Sequence, residues 1–190
     1  MPGKHVRFQD VPPMPSPESP GSPLGPRAST TPCYIHAALS PLHAHVAQCD
    51  LSLPSKYHLQ SFLPSHVLAE PATSPPLPSM NITCRNLPWV VRVAPSGHSK
   101  QGPFVTVNDV MDTLRRAMRV IVTKAEFDQV QTVDRQRRIE DAYRRRYQKI
   151  GDEQERCTGI RRVDFLMGKT TFAGMFSSRH DAESWELSVS

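Results

Sequence analysis

No proline follows Pro103, although the chain holds nineteen of them, nine within residues 1–32. The later part can therefore form uninterrupted helices and paired strands, while the earlier part is broken up repeatedly. Charge is scarce where proline is rich. Residues 1–80 hold four basic side chains (Lys4, Arg7, Arg27, Lys56) and four acidic ones (Asp10, Glu18, Asp50, Glu70), so the net charge of +5 belongs to residues 81–190. No apolar run approaches the ~18 residues of a membrane span, and the start has no hydrophobic signal segment. Both absences predict a soluble intracellular protein, cytoplasmic or nuclear, that is not secreted and has no membrane partner. Cysteine is thin as well: Cys33, Cys49, Cys84 and Cys157 lie 16, 35 and 73 apart, unlike a zinc site or a disulfide framework. They read as free thiols, and the sequon Asn81, Ile82, Thr83 reads as a chance match.

What is present divides the chain in two. Residues 9–32 are rich in Pro, Ser and Gly and contain only Val11 and Leu24 as branched aliphatic residues. Such a segment cannot bury enough surface to offset the ~1–2 kcal/mol per residue of ordering entropy, which predicts a disordered arm over 1–32. A single α+β domain is expected over 33–190, entered by an irregular, extended stretch at 33–78 with one strand near 45–51.

Met80 to Thr83 and Trp89 to Val93 are short β-branched stretches between prolines, the punctuation of strands. Thr106 is a good N-cap for a helix whose apolar residues Val107, Val110, Met111, Leu114, Ala117, Met118 and Ile121 fall at offsets of 0, 3, 4, 7, 10, 11 and 14. Thr123 and Glu126 form a capping box that opens a second, short helix with Phe127 and Val130. A third helix runs from about Asp134 to Ile150 and stops at Gly151. After an acidic loop at 152–155, the alternation of Ile160 to Met167 predicts a strand. Gly168 and Lys169 would turn it into a hairpin with Thr170 to Phe176, setting Phe165 opposite Phe172. Trp185 to Val189 closes the chain as a strand. The order implies an antiparallel sheet with about three helices on one face.

The run Gly159, Ile160, Arg161, Arg162, Val163, Asp164, Phe165, Leu166, Met167, Gly168, Lys169, Thr170, Thr171, Phe172, Ala173, Gly174 resembles the signature of a fungal family known as domain of unknown function 6699. The Pro75 to Pro78 approach to Trp89, the Val105 to Leu114 helix opening and the terminal Trp185, Glu186, Leu187 resemble it too. The resemblance covers about residues 33–190. It implies a protein of mushroom-type fungi (basidiomycetes) with one intact domain, and it brings no activity with it.

The sharpest functional signal is N-terminal. Lys4, His5, Val6, Arg7, Phe8 resembles the docking motif of type 1 protein phosphatase partners. In that mode an extended segment joins a sheet edge, Val6 and Phe8 fill two apolar pockets and Lys4 meets an acidic rim. The alternatives are two incidental apolar residues, or a strand added to the protein's own sheet. Behind it Ser16, Ser19, Ser22 and Thr31 each precede a proline, as do Ser40 and Ser74. All suit proline-directed kinases, though Ser-Pro pairs are also common in disordered tails.

Arg135, Arg137, Arg138, Arg144, Arg145, Arg146 and Lys149 make the third helix basic. Asp134, Glu140 and Asp141 stand four residues before Arg138, Arg144 and Arg145, an order that favours surface ion pairs. The face of Arg137, Arg138, Arg144, Arg145 and Lys149 is either a solvated surface or a nucleic-acid site. Arg146 instead falls among Ile139, Ala142, Tyr143 and Ile150, where a charge needs a partner. Asp164 is the candidate, with Arg162 two residues away. The three form either a structural ion pair or a polar pocket.

Gly168, Lys169, Thr170 lacks the earlier glycine of a phosphate loop, whose place Val163 takes. Ser178, His180 and Asp181 are too close in sequence to converge as a triad. His36, His43, His45 and Cys49 match no metal spacing. No metal, cofactor or catalytic residue is expected, and oligomeric state is left open. The expected function is that of a non-catalytic interaction or adaptor protein that docks type 1 phosphatase through its arm. A nucleic-acid-binding domain is the second reading, and an enzyme of unknown class the third.

Overall fold

Side-chain alternation and one amphipathic helix build the core. The computed structural model of the chain describes residues 32–42, 49–53, 63–96, 103–151, 153–178 and 184–190. Lys4, Val6, Phe8, Ser16, Ser19, Ser22 and Thr31 lie outside them, as do His43, His45, His180, Asp181 and most of the strand expected near 45–51. β1 (Tyr34–Ile35) and β2 (Thr73–Ser74) form a short ribbon. β3 (Met80–Thr83) pairs antiparallel with β4 (Val91–Val93), and β5 (Phe172–Ser177) pairs antiparallel with β6 (Ser184–Val189). The two pairs join through β3 and β6, which run parallel with Ile82 opposite Trp185, in the order β4-β3-β6-β5.

This register collects Met80, Ile82, Val91, Val93, Trp185 and Leu187 in the core, while the alternate residues Arg92 and Glu186 are exposed. A slip of one residue would exchange the two sets. Gly174, at the bulge in β5, has φ 110°, and a Cβ there would sit 2.5 Å from the Pro41 nitrogen. Only glycine lets those two backbones approach so closely.

α1 (Ser65–Ala69) is a single turn and a half, and α2 (Val107–Met118) is the helix that the apolar offsets predict. Thr106 Oγ1 accepts the Asp109 N–H at 3.1 Å, and the Asp109 carboxylate accepts the Thr106 N–H at 3.0 Å. Val107, Val110, Met111, Leu114 and Met118 join the buried strand residues in one core. The stripe ends earlier than its spacing suggests, because Ile121 lies beyond the helix and is exposed. α3 (Lys124–Asp128) opens with the Thr123/Glu126 capping box. α4 (Val133–Ile150) stops at Gly151, whose φ of 67° is the left-handed turn that glycine tolerates.

Two expectations fail C-terminal to α4. The acidic stretch expected as a loop is helical from Glu153, in α5 (Glu153–Thr158), and Glu155 is buried. Ile160 to Met167 is not a strand of a hairpin; Arg162–Leu166 forms a short 3-10 helix, whose Asp164 accepts the Arg161 N–H at 2.8 Å. Val163, Asp164, Phe165 and Leu166 are all buried, which a helical turn wedged between two packing surfaces allows and a strand with one buried face does not. Phe165 consequently packs with Val122 and Ile139 in a second cluster, and Phe172 packs in the main core. Among the described residues no helix is long and apolar enough to cross a membrane.

Candidate functional site

α4 presents two arginine sites on one stripe. Arg135, Ile139, Ala142 and Arg146 stand at offsets of 0, 4, 7 and 11, close to whole turns of the helix. Of these, Ile139, Ala142 and Arg146 are buried.

Arg146 is enclosed, its side chain 4 % exposed against 2 % for Asp164 and 7 % for Glu155. It grips Asp164 with two bonds, Nε to Oδ1 at 2.8 Å and Nη2 to Oδ2 at 2.9 Å, the planar fork that suits a carboxylate. Nη1 donates to Glu155 Oε2 at 2.7 Å and Nη2 to the Gly159 carbonyl at 2.9 Å. Glu155 is shared with Arg119 at 2.7 Å and with Arg161 at 3.1 Å. Burial, reinforced by repulsion from Arg119 and Arg146 and opposed by Glu155 and Asp164, lowers the proton affinity of Arg161 from its ordinary value. Both oxygens of each carboxylate are engaged by fixed cations, so neither is placed to act as a base. The cluster ties α4, α5 and the 3-10 helix together. A depression of about 160 Å³ beside it is lined by Ser52, Arg145, Lys149 and Thr170. Arg162 does not join the cluster; its guanidinium lies over the Trp89 ring, 4.6 Å from the centroid.

Arg137, Arg138, Arg144, Arg145 and Lys149 are all exposed. Arg144 pairs with Asp141 at 3.1 Å and approaches Glu140 at 3.9 Å, and Lys149 reaches Asp50 at 2.8 Å. Burial works against ionisation of Asp50, but hydrogen bonds from Lys149, Ser52 and Thr170 outweigh it and hold the carboxyl below its usual range. Arg137, Arg138 and Arg145 make no ion pair among the described residues. His36, considered as a metal ligand, pairs with Glu70 at 2.8 Å, and no metal-holding group occurs among the described residues.

The other end of the stripe borders a cleft of about 600 Å³, lined by Pro88, Trp89, Glu126, Val130, Arg135 and Phe165 among others. Of these, sequence reasoning singled out Arg135 alone for function, as part of the basic Arg135 to Lys149 helix considered for nucleic acid, and it placed none of them in a cleft. Trp89 is held from three sides. Phe165 meets it edge-on at 4.9 Å, Arg162 covers its ring, and its Nε1–H donates to Glu126 Oε1 at 3.0 Å. The other Glu126 oxygen accepts the Thr123 N–H at 2.8 Å and its hydroxyl at 2.9 Å. Those Thr123 bonds, with smaller help from Trp89 and Arg162, hold the Glu126 carboxyl below its ordinary range against the opposing effect of burial. Arg135 Nη2 donates to the Asn86 carbonyl at 2.8 Å, its Nε–H is buried without an acceptor, and it has no ion pair among the described residues.

No curated protein and no solved structure matches the chain. The family described as "Family of unknown function (DUF6699)" matches residues 38–184, a span that contains both the arginine cluster and the cleft. With well over half of its length matched, the chain belongs to that family.

Proposed function

We propose that the protein works by binding rather than by catalysis, as an interaction or adaptor protein of a fungal cell's cytoplasm or nucleus. The observation that supports this most is the closed pairing of Arg146, Asp164, Glu155, Arg119 and Arg161. These charged groups are committed to one another, and unused hydrogen-bond donors lie instead on Arg135 in the cleft at Trp89. In this reading the Lys4, Val6, Phe8 segment recruits type 1 protein phosphatase and the folded domain supplies a second binding surface. Phosphorylation at Ser16, Ser19, Ser22 and Thr31 would add about −1.5 to −2 charge each beside the docking segment and modulate it. The test is affinity capture from fungal lysate with the full-length protein, a version lacking residues 1–32, and Val6→Ala with Phe8→Ala. Phosphatase is expected with the intact arm alone; its retention by the double variant would overturn the docking proposal.

A second reading rests on Arg138 and Arg145, seven residues apart on one face of α4 and both exposed without ion pairs among the described residues. It makes α4 a nucleic-acid surface whose affinity falls steeply as salt rises. Absence of DNA or RNA binding at low salt ends it.

A further inference from the structure

The cleft between Trp89 and Arg135 has a definite chemical preference. One wall is apolar, with Pro88, Val130 and the Trp89 ring backed by the buried Phe165. Its charged groups are unequally occupied. Glu126 keeps its negative charge, since Thr123 and Trp89 are neutral donors, but both of its oxygens already accept hydrogen bonds. Arg135 has five N–H donors and, among the described residues, places one, on Asn86. That bond fixes the guanidinium without neutralising it. Arg162 covers the Trp89 ring but is not among the residues that line the cleft, so Arg135 is the cation there. A volume of about 600 Å³ is within the range of small-ligand sites.

We propose that this cleft binds an organic carboxylate, its apolar body lying against Trp89 and its carboxylate meeting Arg135. A cationic ligand would meet the Arg135 guanidinium and only a Glu126 carboxylate whose oxygens are already engaged, and a wholly apolar one would cover Arg135 without pairing it, which costs free energy. The carboxylate belongs to a free small acid or to the C-terminus of a partner protein; both offer the same chemistry. The inference rests on the reading of the folded domain as a binding surface and is independent of the arm.

The test uses isotope-labelled full-length protein and follows the indole N–H resonance of Trp89, identified with Trp89→Phe. The probes are phenylpropionate, its primary amide, and an acetylated Gly-Gly-Leu-Phe peptide with a free or an amidated terminus. A saturable shift is expected with at least one free acid, and about tenfold weaker binding with its amide. Arg135→Gln should erase the preference for acid over amide, Arg135→Lys should retain part of it, and Arg137→Gln should leave it intact. Tighter binding of phenylpropionate identifies a small-molecule ligand, and tighter binding of the peptide identifies a chain terminus; either upholds the proposal. It is overturned if neither free acid gives a saturable shift at roughly millimolar concentration, or if Arg135→Gln keeps the preference. Val6→Ala with Phe8→Ala should titrate like the parent, so failure of arm docking and failure of the cleft are read separately.

Discussion

Arg146 and Arg135 occupy the same stripe of α4, eleven residues apart, and differ in what surrounds them. Arg146 meets two carboxylates and a carbonyl within 2.9 Å and is nearly sealed from water. Arg135 meets one carbonyl and borders an open cleft. A guanidinium whose donors are matched by fixed acceptors serves the fold, because removing any partner strands a buried charge. One held in place with donors to spare is available to a ligand. Lys149 stands between them: it pairs with Asp50, yet its side chain is 62 % exposed.

The largest expected effect lies at the sealed site. Asp164→Ala takes from Arg146 one of its two carboxylates and from the Arg161 N–H its acceptor, and urea unfolding should show a loss of about 3–5 kcal/mol. Arg146→Met combined with Asp164→Leu should recover much of that loss, since no unpaired charge at those positions remains. A loss below about 1 kcal/mol for Asp164→Ala would mean that the cluster is not what fastens α4.

The intermediate case is read through pH. The folded-state pKa of Asp50 is depressed, so its contribution is present above its unfolded value, about 3.9, and is lost as pH falls through the folded value. Lys149→Met removes one cause of the depression. The variant should therefore lose less stability than the parent between about pH 5 and pH 2, by under about 1 kcal/mol for so exposed a pair. Equal acid limbs in the two unfolding series would show that Ser52 and Thr170 alone hold Asp50.

How much of this was legible in sequence follows from the range of the interactions involved. α2 and its Thr106 cap are local: six apolar offsets and one hydroxyl specify them, and the structure places the helix at Val107–Met118. β3, β4 and β6 are set by alternation between prolines and turns. The Arg162–Leu166 segment was not legible because its alternation fits a strand as well as a buried 3-10 helix. Its conformation accompanies contacts from distant elements, namely Arg146 on Asp164 and Ile139 beside Phe165. Glu155 escaped notice for the same reason, since an acidic run after a helix reads as a solvated loop until three arginines are seen around it. Arg135 reads in sequence only as one member of a basic helix, because nothing local distinguishes a spare guanidinium from a paired one.

The smallest effect on stability is also the most direct test of the difference between the two arginines. Arg135→Gln should be measured for urea unfolding and for the Trp89 indole response to phenylpropionate and the free-terminus peptide. An unfolding free energy within about 0.5 kcal/mol of the parent, together with loss of the preference for acid over amide, is the expected result. A loss of several kcal/mol, or an unchanged preference, would contradict the division of α4 into a fastening end and a binding end.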